Sequence, residues 1–146
     1  MKILLISASP RKEKSQTFLL ANEILKGFSE EKTTEILHLC DMKISFCRSC
    51  EACHKKILDC PIKDDVQYIL KMMLEVDGIV LASPNYINQV PGVMKTLFDR
   101  STHFIHCLRL TNKYTVGVVT SGSGYDKSVL EYLKHYSNVC GAQYVG

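Results

Sequence analysis

Short apolar runs alternate with helical patterns along the whole chain, and most of the runs lead into a polar loop. Lys2–Ser9 is apolar without alternation, the pattern of a strand covered on both faces in a parallel sheet. Thr17–Phe28 then places Phe18, Ala21, Leu25 and Phe28 three and four residues apart, one stripe of a helix. Glu35–Leu39 reads as a second strand. Asp64 and Asp65 open a helix, where acidic side chains suit the positive helix end, and Val66, Ile69, Leu70, Met73 and Leu74 form its apolar face. Ile79–Ala82 is the third strand. Pro91 suits the first turn of the next helix, which carries Val93, Met94, Leu97 and Phe98. Tyr114–Thr120 is the fourth strand, Ser128–Tyr136 the last helical pattern, and Cys140–Val145 a final strand.

Regular alternation of this kind predicts an α/β fold with a five-stranded parallel sheet and helices on both faces. Right-handed crossovers bring the loops after strands one, three and four to the sheet's carboxyl edge. Ligands bind there in open α/β sheets, at the switch in strand order. The expected order is 2-1-3-4-5, which makes one pocket of "SPRKEKSQT", "SPNYINQ" and "SGSGYD".

Length and charge narrow the function classes. The 146 residues suffice for a single domain. A net charge of +3 with scattered lysines does not suit nucleic acid. No apolar run approaches the roughly 20 residues of a membrane span, and "ILLI" is too short for a signal peptide's apolar region. The expected location is therefore the cytoplasm, where thiols stay reduced. Seven cysteines in that setting favour metal or redox chemistry over structural disulfides.

Ser9, Arg11, Ser15, Gln16 and Thr17 lie between the first strand and the first helix. Free backbone N–H groups and the positive dipole end at a helix start favour an anion, and Arg11 adds a charge-assisted donor. The simpler alternative is that Ser15 or Thr17 only caps the helix. The loop is neither GxxxxGK[ST] nor GxGxxG.

Three segments, "ILLISASPRKEKSQTFLLA", "GIVLASPNYINQVPGVMKTLFDRS" and "VGVVTSGSGYD", resemble, in order, the NADPH-dependent FMN reductase family of flavodoxin-like proteins. The SPxYxxxxPGxxKxxxDR pattern in the second is the most specific part. The resemblance implies a flavodoxin-like, doubly wound FMN-binding domain over residues 1–146. Carried onto this chain, Ser9, Arg11, Ser15, Gln16 and Thr17 would hold the FMN phosphate. Pro84, Asn85, Tyr86 and Ile87 would line one side of the flavin ring, with Ser121, Gly122 and Gly124 near the other. Ala8-Ser9 stands where a Gly-Ser pair is common, and Asn88 where a small residue is common. Asp99-Arg100 reads as a structural pair at a helix end, and Lys95 as a solvated helix face.

Four cysteines, Cys47, Cys50, Cys53 and Cys60, fall in a segment spanning residues 40–63. From spacing alone a disulfide, a zinc site, an iron–sulfur site and metal-free thiols all remain open. The resemblance extends to the iron–sulfur flavoprotein subset, whose compact cysteine motif implies ligation of a 4Fe–4S cluster by these four thiolates. On a straight helix, positions three and six apart would drift around the surface, so the segment must turn. Cys40, Cys107 and Cys140 read as small buried hydrophobes. His54 reads as exposed, and His103 and His106 as partners of a helix dipole.

The implied activity is that of an FMN-dependent NAD(P)H oxidoreductase of the flavin or quinone reductase type, with flavin N5 carrying hydride and no catalytic side chain named. Electrons would leave to a small-molecule acceptor or, with a cluster, to a ferredoxin-like protein. A homodimer or homotetramer is implied; nucleic-acid and membrane partners are not. The alternative is a non-catalytic electron carrier or FMN-binding protein. Relatives are expected to continue beyond Val145-Gly146 into a further helix.

Overall fold

A computed structural model describes residues 1–28, 31–56 and 58–146, so the expected cysteine segment 40–63 is described except at position 57. Five parallel strands form one sheet in the order β2-β1-β3-β4-β5. They are β1 (Lys2–Ser7), β2 (Thr33–His38), β3 (Gly78–Pro84), β4 (Tyr114–Thr120) and β5 (Gln143–Tyr144). The helices are α1 (Gln16–Lys26), α2 (Ala52–Lys55), α3 (Val66–Glu75), α4 (Gly92–Arg100), α5 (His103–His106) and α6 (Asp126–Val139). The doubly wound flavodoxin-like architecture and its strand order are as the sequence predicts.

Alternation within the strands serves two cores. Leu4 and Ile6 of β1, with Ile79 and Leu81 of β3, face Ile69, Met73, Met94 and Leu97 of α3 and α4. Their neighbours Ile3, Leu5, Val80 and Ala82 face Phe18, Ala21 and Leu25 of α1. Both faces are apolar, which explains why the runs do not alternate. Each Leu or Ile so buried contributes about 1.5–3 kcal/mol.

The boundaries shift where pairing overrides the apolar pattern. β2 starts at Thr33, in register with Lys2, and ends at His38, because Leu39 enters a 3-10 turn over Leu39–Asp41. β3 reaches Pro84, paired with Thr120 at the strand end, where proline's missing N–H is tolerated. Pro91 precedes α4, and its carbonyl accepts from Met94 and Lys95. The last strand keeps only two register pairs with β4.

Gly117, in the middle of β4, is fixed by packing. A Cβ there would lie 2.7 Å from the Tyr144 hydroxyl and 3.3 Å from Leu133 of α6. On the α1 side, a groove along the sheet is lined by Met1, Ile3, Phe28, Val80, Val116 and Val145. Among the described residues no helix is long and apolar enough to cross a membrane.

Candidate functional site: a cleft at the carboxyl edge and a cysteine segment

The loops after β1, β3 and β4 enclose a cleft of about 430 Å³. Ser9, Arg11, Ser15, Gln16 and Thr17 line one end, and Pro84, Asn85, Tyr86, Ser121 and Gly122 the other. Ser15 occupies the N-cap position of α1 with extended backbone, yet its side chain makes no capping bond. The capping-only alternative therefore does not hold for Ser15. The first-turn amides that a capping hydroxyl would satisfy are left for another acceptor. Ser9, Ser15 and Thr17 are all buried. The Arg11 amide donates to Ser9 Oγ at 3.3 Å, which shapes the turn. Lys12 is drawn away to Asp41, 2.5 Å distant.

Asn85 organises the other end. Its backbone N–H donates to the Thr120 carbonyl at 2.9 Å. Its side-chain amide donates to Ser121 Oγ at 3.1 Å and to the Gly124 carbonyl at 2.9 Å. The Ser121 hydroxyl donates to the same Gly124 carbonyl. Asn85 Oδ1 is buried and accepts from no protein group among the described residues, which leaves it open to a donor from water or a bound molecule. Tyr86 and Gln89 exchange backbone bonds of 2.9 and 3.2 Å across a tight turn. Ile87 and Asn88 hold its corner with φ of 51° and 59°, as a mirror-type turn requires.

Two of the predicted ring-side residues stand back from the cleft wall. Ile87 is 98% exposed at the turn's tip. Gly124, with φ +84°, supplies the carbonyl that anchors Asn85 and Ser121. Thr120, which sequence reasoning missed, lines the cleft and hydrogen-bonds through Oγ1 to Thr17 Oγ1. Its position at a strand's carboxyl end is the signal that could have found it. These features fit a phosphorylated planar ligand: unclaimed amides and a cation at one end, and polar backbone beside an aromatic edge at the other.

The cysteine segment does turn. Left-handed backbone at Ser49, Glu51 and Leu58 interrupts it around the single helical turn α2. Cys47 and Cys50 are exposed, while Cys53 and Cys60 are half-buried. Burial pushes the Cys53 thiol up, and the neighbouring Cys60, Cys47 and Cys50 push in the same direction. The four sulfurs thus share one electrostatic neighbourhood. Among the described residues, no three His, Cys, Asp or Glu side chains converge on a single ion position. A cluster distributes its thiolates over separate irons, and the soft donor set of this segment fits one in chemistry.

Several secondary expectations need correction. Cys140 is buried, and burial pushes its thiol up to about 11. Cys40 and Cys107, however, are exposed. Asp99 and Arg100 do not pair with each other, because successive helical side chains point about 100° apart. Asp99 faces solvent and binds Lys95, so Lys95 is not merely solvated. Arg100 points inward to Asp64 at 2.7 Å, with both side chains almost fully buried. His103 is buried with neither ring nitrogen bonded, so it is no dipole partner. Burial, helped by His54 and Arg109, lowers its pKa and keeps it neutral. His54 sits edge-on to His106 with ring centres 4.8 Å apart.

Sheet order and cleft together define a flavodoxin-like fold with an open cleft at the topological switch. The model of the NADPH-dependent FMN reductase family matches residues 1–146, and the chain belongs to that family. It is 41% identical over 125 residues to an iron-sulfur flavoprotein of Archaeoglobus fulgidus, covering 84% of this chain and 60% of the relative. To an iron-sulfur flavoprotein of Methanocaldococcus jannaschii it is 39% identical over 139 residues, covering 93% and 71%. An FMN-dependent NADH-azoreductase of Bacillus anthracis, solved in complex with FMN, superposes with a TM-score of 0.67 at 18% identity, covering 99% of this chain and 84% of that one. At that identity the likeness speaks for the fold alone. The chain spans about 60% of the length of the first of these relatives.

Proposed function

We propose that this chain is an NAD(P)H-dependent FMN oxidoreductase of the iron–sulfur flavoprotein type, working in the cytoplasm as a homodimer or homotetramer. The observation that carries the reading is the cleft itself, with an uncapped helix start at one end and the unpartnered Asn85 Oδ1 at the other. Bound FMN supplies the exchange between two-electron hydride chemistry and one-electron transfer.

The chain's part is binding and orientation. The α1 amides, Ser9, Ser15, Gln16 and Thr17 hold the phosphate, and Arg11 neutralises it. Asn85 Oδ1 accepts from the ring's polar edge, and Tyr86 offers an aromatic border. Asn85 is fixed in place by Thr120, Ser121 and Gly124, so little order is lost on binding. Cys47, Cys50, Cys53 and Cys60 hold a 4Fe–4S cluster, which supplies one-electron capacity toward a ferredoxin-like partner or a small acceptor.

The deciding experiment is anaerobic purification with an ultraviolet–visible spectrum, an iron assay and steady-state NAD(P)H oxidation. Flavin bands, about four irons per chain and nicotinamide turnover are expected. Folded protein that takes up no FMN from excess nucleotide overturns the reading. Flavin without iron removes the cluster and leaves the reductase. Flavin with no nicotinamide turnover makes the protein an electron carrier.

A further inference from the structure

Arg100 is the last residue of α4, the helix that begins directly after the Asn85–Gln89 turn of the cleft. Its guanidinium is almost fully buried and four of its contacts are polar. Nη1 donates to the Ser45 carbonyl at 2.7 Å and to Asp64 Oδ2 at 2.7 Å. Nη2 donates to Asp64 Oδ1 at 3.1 Å and to Cys60 Sγ at 3.4 Å. Asp64 closes the arrangement by accepting from the Ser45 amide at 2.9 Å. Ser45 lies two residues before Cys47, and Cys60 is the last of the four cysteines. Both ends of the segment are therefore fastened to one side chain. Gln67 of α3 adds a 2.6 Å bond to the Cys60 carbonyl. By contrast, Cys47 and Cys50 are exposed, and among the described residues Cys47 Sγ accepts only from the neighbouring Ser49 amide, at 3.4 Å.

We propose that Arg100 is the positioning residue of the cysteine segment: it pins the segment's two ends to α4 and directs an N–H at Cys60 Sγ, so that the fourth thiol is pre-placed while the other three close onto the cluster. The proposal rests on the reading of these cysteines as a cluster site. A planar fork suits this, because the four bonds leave from two separated nitrogens, whereas an ammonium has three donors on a single atom. The N–H bond has a second effect once a cluster is present. Hydrogen bonds to cluster sulfurs set its potential, and a donor from a cation favours the reduced, more negative state.

Two variants test this. Arg100→Lys keeps the charge beside Asp64 and loses the fork. Arg100→Met with Asp64→Leu replaces the buried pair by apolar side chains, an exchange that cores tolerate, and so removes the clamp without stranding a charge. Each is compared with the parent by hydrogen-exchange mass spectrometry in the metal-free state, by FMN titration, and by redox potentiometry of the reconstituted protein. The expected result is FMN affinity close to the parent's, with exchange across residues 45–63 faster by roughly tenfold, as loss of a charge-assisted bond implies. The cluster potential should fall. Unchanged exchange over 45–63 in a folded variant overturns the clamp; an unchanged potential overturns the role of the Cys60 contact. If the parent itself takes up no iron, the cluster reading fails, and the exchange measurement still decides whether Arg100 holds the segment.

Discussion

The hydroxyls of Thr17 and Thr120 meet at the sheet's carboxyl edge, although 103 residues separate them in the chain. One stands in the first turn of α1 and the other ends β4. Their bond ties the start of α1 to the end of β4 across the cleft.

Thr17→Val cuts that tie and leaves the Thr120 hydroxyl unpaired, a loss of about 1–3 kcal/mol. The Kd for FMN should rise by roughly tenfold or more, read by quenching of flavin fluorescence on titration. Thr17→Ser restores the hydroxyl and should restore most of the affinity. Equal affinities for all three proteins would remove this pair from the binding account.

Ser15→Asp gives effects of opposite sign on stability and binding. A carboxylate at the N-cap of α1 takes up free amides and suits the helix dipole, so the ligand-free protein should melt at the same temperature or higher. The same charge repels the FMN phosphate, and affinity should drop by about a hundredfold. A variant that both melts higher and binds FMN normally would place the phosphate elsewhere.

Asp64 ties stability to acid. Burial opposes its ionised form, but the Arg100 bond and the Ser45 and Val66 amides outweigh that and hold its pKa below the usual value. A carboxyl held low in the folded state binds fewer protons there than in the unfolded chain. Its stabilisation is therefore complete above about pH 4 and lost as pH falls through the folded value. Urea denaturation between pH 7 and 3 should show this loss in the parent and not in the Arg100→Met, Asp64→Leu double variant. Arg100→Leu alone strands a buried carboxylate and should cost about 3–5 kcal/mol at neutral pH.

His103 works over a higher window. Burial is the main cause of its lowered pKa, followed by His54 and Arg109. The unfolded chain takes a proton near pH 6.5 while the native imidazole stays neutral. Stability is then fully present above about pH 6.5 and declines as pH falls below it. His103→Phe should flatten the dependence of the melting temperature between pH 5 and 7. A parent curve already flat there would mean that the ring is protonated or solvated in the folded state.

Much of this was legible in the chain because local and tertiary preferences agree. The run Ile3–Ile6 forms a strand, and its doubly apolar character implies cover on both faces. Tyr114–Thr120 is bounded by residues that end pairing, and its limits follow directly. The loops of the cleft could be read because each follows a strand, and a parallel sheet gathers such loops on one edge. What could not be read depends on which way a side chain turns. Asp99 and Arg100 are neighbours in sequence, yet one faces water and the other the core, and the partner of Arg100 lies 36 residues away. Cys40 and Cys140 have the same chemistry, and only packing against Tyr136 and the α6 core distinguishes the buried one. His103 gave no signal, since nothing in its spacing reveals that neither nitrogen is bonded.

α4 has one further consequence. From Gly92 to Arg100 it spans about 12 Å, and no glycine or proline interrupts it after its first residue. The cleft loop that ends at Gln89 and the guanidinium that grips Cys60 therefore lie toward opposite ends of one short helix.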